Sequence, residues 1–413
     1  MHIGSEFIKG INYWPASKAM YWWKSFDENE VRRDFCQMAR FHIRLIRIFL
    51  TWEDFQPEPD NIPRAMLDNL KLVADIALKY QIQLMPTFFC GHMSGVNWMP
   101  HWMLEETSSV NRFPVYSGYS LVSNRIRNFY SDHEIIAAQK WQLEQVGQTL
   151  KEHPAVWGYD LGNESSNCAI PADRIAARNW LEAMTAALRK YGDKPITLGM
   201  HAEDLEEDRN LWPQDAALYC DFLCMHGYPF YLRWASYDDI NVLPFLAIVT
   251  NWLGNKPVLF QEFGLPTQPI IEPTLSCAAT TDWRYPLWTE TEGLAYYNTA
   301  MNMLKEVTFG AMGWCYADYS PLMWNQTPLD VNPHERHFGV FRYDGTSKPA
   351  VHTFMQNLAS YPYPQVSVDR TKLFSNIKQE DYYADPAYNI QKLYQRYHQN
   401  VFIDTDKTDR SRI

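Results

Sequence analysis

The sequence predicts a (β/α)8 TIM barrel of the α/β class, and three observations carry that prediction. Eight short apolar runs, rich in β-branched and aromatic residues, alternate with segments of helical spacing. That is the pattern of parallel strands joined by helical crossovers. Two of the runs, far apart in the chain, end on an acidic residue: Val156 to Glu164 reads VWGYDLGNE, and Lys256 to Glu262 reads KPVLFQE. A closed barrel places its site at C-terminal strand ends. The rival, an open doubly wound sheet, calls for a G-x-G-x-x-G turn after the first strand, and none is present. At 413 residues the chain is long for one domain but within the range of large barrels.

Strand one runs from Phe7 to Pro15. From Glu28 to Phe41 the spacing is helical, with Val31, Phe35, Met38 and Ala39 on one face, Asp27 as N-cap and Glu30 as its capping-box partner. Strand two is Leu45 to Phe49, followed by a helix from Leu67 to Tyr80 and strand three from Ile82 to Phe89. A long irregular insertion, Cys90 to Ser131, carries His92, Trp98, His101 and Trp102 and reads as a cleft wall. A helix from His133 to Leu150 leads to strand four, where Gly162 is expected to make the turn that aims Asn163 and Glu164. A helix from Ala172 to Tyr191 and strand five, Pro195 to Met200, follow. Strand six, Phe222 to Met225, ends in His226-Gly227-Tyr228-Pro229. After a helix from Asp239 to Leu253 comes the strand of Glu262, then a long loop, Leu265 to Glu290, with Trp283, Tyr285 and Trp288. A helix from Gly293 to Val307 precedes strand eight, Ala311 to Tyr316, which brings Trp314 and Asp318 to its end; a third long loop with Trp324 follows. Pro349 opens a last barrel helix, since proline fits a first helical turn. Beyond Ser360 the pattern weakens. Residues 1–360 therefore read as the barrel, and 361–413 as an extension packing on it or on a neighbouring subunit of a homo-oligomer. A helix from Asp385 to His398 is expected there, capped by Asp385 with Pro386 first inside.

The formal net charge of −11, without a basic stripe, excludes a nucleic-acid partner. No apolar run reaches the length of a membrane span, so no membrane is expected. The first ten residues do not read as a signal peptide, and the seven scattered cysteines fit buried thiols in a reducing compartment, so the expected location is cytoplasmic. The two Asn-x-Ser/Thr matches, at Asn163 and Asn325, mean little without a secretion signal. No metal or cofactor is expected. His334-Glu-Arg-His337, the His201/Glu203/Asp204 cluster and the Cys220/Cys224 spacing all miss the ligand sets of zinc sites. Aromatic residues make up 15% of the chain, enough both to fill a core and to stack on flat ligand faces.

Taken in order along eight strand–helix units, these residues resemble clan A glycoside hydrolases, family 5 most closely. The likeness covers roughly residues 7 to 350. It implies that Glu164, in the Asn-Glu pair ending strand four, is the general acid/base and that Glu262, ending strand seven, is the nucleophile of a retaining mechanism. It places the family's strand-two arginine on Arg47, its His-x-Tyr on His226 and Tyr228, its strand-eight tryptophan on Trp314 and a strand-three histidine on His92. Ser165 stands where a proline is frequent. Asn163 would bond the sugar 2-hydroxyl, and Glu164 would be kept protonated by apolar surroundings and nearby negative charge. Arg47 has a structural alternative, pairing with Glu53 or Asp54. Trp98, Trp283, Trp288 and Trp324 are either sugar platforms or loop packing. The expected substrate is a short oligosaccharide: an exo-acting β-mannosidase on β-1,4-mannosides such as Man-β-1,4-GlcNAc, with an endo-mannanase or β-glucosidase as alternatives. A non-catalytic sugar-binding barrel is the alternative of another class.

Overall fold

The computed structural model describes residues 6–108, 111–268, 285–356 and 365–404. Eight parallel strands form the barrel: β1 (Ile8–Tyr13), β2 (Leu45–Thr51), β3 (Gln83–Cys90), β4 (Tyr159–Asn163), β5 (Ile196–Gly199), β6 (Leu223–His226), β7 (Val258–Phe263) and β8 (Gly310–Gly313). The sheet runs β5-β4-β3-β2-β1-β8-β7-β6. A parallel bridge between His201 and His226, with His226 N donating to Met200 O at 2.9 Å, joins β5 to β6 and closes the circle.

The longer helices are α1 (Glu28–Arg40), α2 (Arg64–Lys79), α3 (His133–Thr149), α4 (Arg174–Arg189), α5 (Pro213–Tyr219), α6 (Val242–Gly254), α7 (Glu290–Lys305) and α8 (Pro386–Asn400). Several starts are fixed by side-chain caps that satisfy otherwise unpaired backbone N–H groups. Asp27, Asp132 and Asp173 accept from Asn29 N, Glu134 N and Ala176 N, and Thr289 with Glu292 forms a full capping box. Glu30 does not complete a box with Asp27; its carboxylate turns to Ser17 Oγ and the Lys18 ammonium instead. The α5 segment, seven residues opened by Pro213, is too short to show a helical period in the sequence.

Other expectations are corrected. The insertion after β3 is not irregular: short strands at His92–Met93, Val96–Trp98, Val115–Ser117 and Ser120–Val122 form a four-stranded sheet, and Leu104–Ser108 pairs with Asn124–Ile126. The segment opened by Pro349 is a six-residue 3-10 helix, Pro349–Phe354. In the extension, Gln365–Val368 pairs antiparallel with Val401–Asp404. Asp385 caps α8, accepting from Tyr388 N at 3.1 Å. Tyr382 and Tyr383 donate to Leu205 O and Asp204 O, each at 2.7 Å, and Tyr394 donates to Asp239 Oδ2 at 2.6 Å. These bonds tie the extension to the segments after β5 and β6 of its own chain.

Candidate active site

Side chains alternate across a strand, so residues two apart share a face. Inside the barrel this rule carries each strand from an apolar layer to a polar one. Leu45, Met85 and Leu259 form part of a buried apolar cluster, and Arg47, Thr87 and Gln261, two residues further on, are buried polar groups. Strict alternation would then turn the residue after Gln261 away from the interior. It does not, because β7 slips register against both neighbours between Phe260 and Phe263. A matching irregularity lies between Asp160 and Asn163 in β4. Such bulges re-aim side chains at barrel rims.

At the end of β7, both oxygens of Glu262 are held. Arg47 Nη1 donates to Oε1 at 2.6 Å and Tyr228 OH to Oε2 at 2.9 Å. Burial, then the neighbouring Glu262 charge, push the Tyr228 phenol well above its usual pKa, so it stays a donor. Arg47 is fully buried and spends every N–H inside the barrel. It reaches Asp160 Oδ2 from Nε at 3.0 Å and from Nη2 at 2.7 Å, Thr87 Oγ1 at 2.8 Å, Asn163 Oδ1 at 2.8 Å and Asn12 Oδ1 at 3.2 Å. Burial opposes its charge, but Asp160 and Glu262 outweigh that and raise its pKa. Its partners are thus Asp160 and Glu262, not Glu53 or Asp54. Asp160 escaped the sequence reading; its signal was an acid inside an otherwise apolar strand.

At the end of β4, the turn is made by Glu164 itself and not by Gly162. Glu164 has φ +47° and ψ +41°, the left-handed region that non-glycine residues rarely occupy, whereas Gly162 has ordinary φ. Strain of this kind gathers at functional sites. The carboxylate is ringed by imidazoles: His226 Nδ1 lies 2.9 Å from Oε1, with His92 Nε2 at 3.8 Å and His201 Nδ1 at 3.9 Å from Oε2. Asn167 Nδ2 donates to Oε2 at 3.2 Å. Neither His201 nor Asn167 was anticipated in this role.

Burial alone would raise the Glu164 pKa. His201, His226 and His92 together outweigh it and hold the carboxyl well below the usual range. The surroundings expected to be apolar are therefore a ring of imidazoles. The Glu164 proton still has a place. Gln261 Nε2 donates to Asp160 Oδ2 at 3.1 Å, so Gln261 Oε1 is the atom facing His226 Nε2 at 2.9 Å, and that ring nitrogen must carry a hydrogen. The contact between His226 Nδ1 and Glu164 Oε1 then needs one proton of its own, on either partner. One Glu164 oxygen, one Glu262 oxygen and one His226 nitrogen lie within 4.8 Å of one another. The same trio would be a candidate cation site, but the Arg47 guanidinium on Glu262 already supplies the positive charge.

The pair opens into a cleft of about 870 Å³, lined among others by His92, Asn163, Tyr228 and Trp314, the size of a small-molecule site. A groove of comparable size, about 970 Å³, lies beside α1 and is lined by none of the strand-end residues of the barrel site. Among solved structures, the exo-β-1,4-mannosidase Op5Man5 from Opitutaceae bacterium strain TAV5 is 25% identical with a TM-score of 0.68; the match covers 86% of this chain and 59% of that one. A GH5_18 protein from Streptomyces cattleya, solved with GlcNAc, is 18% identical, with a TM-score of 0.70 and coverage of 86% and 81%. A GH5_18 protein from Bifidobacterium longum subsp. longum ATCC 55813, solved as a variant with Manb1-4GlcNAc, is 17% identical, with a TM-score of 0.67 and coverage of 96% and 97%. The barrel shares its fold with these family 5 glycoside hydrolases. No protein-family model matches the sequence, and no curated protein does. The chain spans about three-fifths of the length of Op5Man5.

Not every residue the family 5 likeness or the loop reading pointed to reaches the cleft of this barrel. Trp314 does, with Nε1 3.4 Å from Glu335 Oε2. Asn163 does, its Nδ2 donating to His92 O at 2.9 Å. Trp98 is loop packing: it is buried between Tyr21 and Tyr116 and donates to Met93 O. Trp324 donates to Tyr319 O and lies under Arg336, outside the cleft lining. Trp288 packs on Phe230 and Tyr237, also outside it. Trp283 lies outside the described residues. Glu335, weighed in the sequence only as part of His334-Glu-Arg-His337, is a buried carboxyl beside Glu262 in the cleft lining. Among the described residues no helix is long and apolar enough to cross a membrane.

Proposed function

We propose that this protein is a retaining β-glycoside hydrolase with Glu262 as nucleophile and Glu164 as acid/base. The observation that carries the reading is that the two carboxyl groups face each other, with one oxygen of each within 4.8 Å of the other. Retaining glycosidases need about 5–5.5 Å, whereas inverting ones leave about 6.5–9.5 Å for a water. A sugar ring between the two groups presents its anomeric carbon to Glu262, whose lone pair forms the new C–O bond as the glycosidic bond breaks. The leaving oxygen takes the proton carried at the Glu164–His226 contact. Water then attacks the glycosyl-enzyme, giving its proton back to Glu164 and freeing Glu262. Arg47 and Tyr228 orient Glu262 and stabilise the charge it regains. Asn163 has a second Nδ2 hydrogen to offer the 2-hydroxyl, His92 lines the same side, and Trp314 is the stacking floor.

The substrate we infer is a short β-1,4-mannoside cleaved from its non-reducing end, Man-β-1,4-GlcNAc included. Support comes from structural neighbours named as an exo-β-1,4-mannosidase or solved with that disaccharide. We place the reaction in the cytoplasm, on imported oligosaccharides, within a barrel of residues 1–360 carrying a 361–413 extension. The test is hydrolysis of aryl β-mannoside against aryl β-glucoside, with Glu164→Gln and Glu262→Gln alongside. Faster turnover of the mannoside, lost in both variants, is expected. Activity that survives in both ends the reading, and no turnover of either glycoside favours a binding barrel.

A further inference from the structure

The segment after β8 and the insertion after β3 meet in the cleft lining. Ser94 Oγ donates to Glu335 Oε2 at 3.0 Å, and Asn332 Nδ2 donates to Ser94 O at 2.9 Å. Ser94 and Gly95 make the reversal with positive φ, and a Cβ on Gly95 would press into Asn332, so the two segments sit in close contact. From the β6 side, Tyr231 OH donates to Glu335 Oε1 at 3.2 Å. Glu335 is thus held from two segments, the insertion after β3 and the loop after β6; the indole N–H of Trp314, the sugar floor, lies beside Oε2 and His334 Nε2 lies 3.6 Å from Oε1. A carboxyl this buried is costly unless it has a task or a full set of partners. Here it has partners and still lines the cleft.

We propose that Glu335 is a specificity-determining residue: with Ser94 and Asn332 it forms the end wall of the cleft and binds hydroxyls of the terminal, non-reducing sugar. This rests on the glycosidase reading and deepens it, because a wall one sugar beyond the carboxylate pair makes the cleft exo-acting. The edge of Trp314 beside Glu335 directs the carboxyl at the rim of a ring stacked on that indole. Rim hydroxyls are where epimeric sugars differ and where a further sugar would be attached. A carboxyl can hold two of them, and losing such hydrogen bonds costs affinity, not chemistry.

The test uses the full chain and mannobiose as probe. Calorimetric titration of Glu262→Gln should show binding. Adding Glu335→Ala, or the near-isosteric Glu335→Gln, should weaken it about 10-fold, the scale of a lost buried hydrogen bond. In the active enzyme the same changes should raise KM for aryl β-mannoside with a smaller effect on kcat, a split that mere loosening of the fold would not give. Unchanged mannobiose affinity in either folded variant overturns the proposal, as does internal cleavage of mannotetraose by the wild type. Glu335-dependent binding in a protein that cleaves no glycoside would leave the subsite standing and remove the hydrolase reading.

Discussion

The two ends of the barrel are built from the same eight strands and could hardly differ more. At the N-terminal end the interior is closed by Leu45, Met85, Phe222, Cys224, Leu259 and Met312, all buried and apolar. One turn of the pleat further along, the interior holds Arg47, Thr87, Asp160, Gln261, Asn12 and His226, just as buried but polar and linked by hydrogen bonds. The apolar end is stabilised by packing, where shape matters and chemistry does not. The polar end is tolerated because Arg47 and Asp160 satisfy one another, and it serves to aim two carboxylates. The contrast teaches that stability and reactivity are separated by two residues along β2, β3, β6 and β7.

Changes at the polar rim break the contrast most strongly. Glu262→Gln should lower kcat/KM on aryl glycoside on the order of 10⁴-fold with an unchanged unfolding midpoint, measured by steady-state kinetics and thermal melts. Glu164→Gln should cost about 10²–10⁴-fold, the usual weight of a general acid. One layer down, the two ends should become alike in stability: Asp160→Ala leaves the buried Arg47 without its main counter-charge and should cost about 3–5 kcal/mol in urea unfolding, together with activity. In the apolar layer, Met85→Ala should cost about 2–5 kcal/mol by opening a cavity while kcat stays near wild type.

A pH series sharpens the comparison at the cleft wall. Burial raises the Glu335 carboxyl to about 7, although its bonds from Ser94, Trp314 and Tyr231 pull the other way. The fold therefore favours the neutral form. That advantage is full below the ordinary carboxyl pKa and is lost as pH rises through about 7. Relative to Glu335→Gln, the wild type should lose on the order of 1–3 kcal/mol of stability between pH 5 and pH 8. An equal response in both proteins would mean the carboxyl is not buried as described. The smallest effect belongs to Trp324→Phe, outside the cleft, which should leave KM within about 2-fold, since surface and loop packing changes rarely reach a site.

The barrel was legible in the sequence because each strand is a short apolar run with helical spacing on either side. The two glutamates were legible because they interrupt such runs at their ends. Other parts were hidden for physical reasons. Asp160 and Gln261 sit inside apolar strands, and only closure of the barrel brings them to Arg47 and His226. His201 follows β5 in sequence but faces Glu164 in space. Left-handed Glu164 cannot be read from residue type, since glycine is the usual occupant and Gly162 stood two places away. The tryptophans show the limit of composition: Trp314 reaches the cleft while Trp98 and Trp324 fill loops, and nothing in their local sequence separates them.

The most direct measurement is to trap the intermediate with a 2-deoxy-2-fluoro-β-mannosyl fluoride and locate the label by mass spectrometry of peptides. The arrangement of Arg47, Tyr228 and the bulged end of β7 predicts one fluoromannosyl group, attached to the peptide carrying Glu262, in step with loss of activity. A label on Glu164 would reverse the two roles. Turnover with inverted anomeric configuration and no labelled peptide would contradict the double displacement itself.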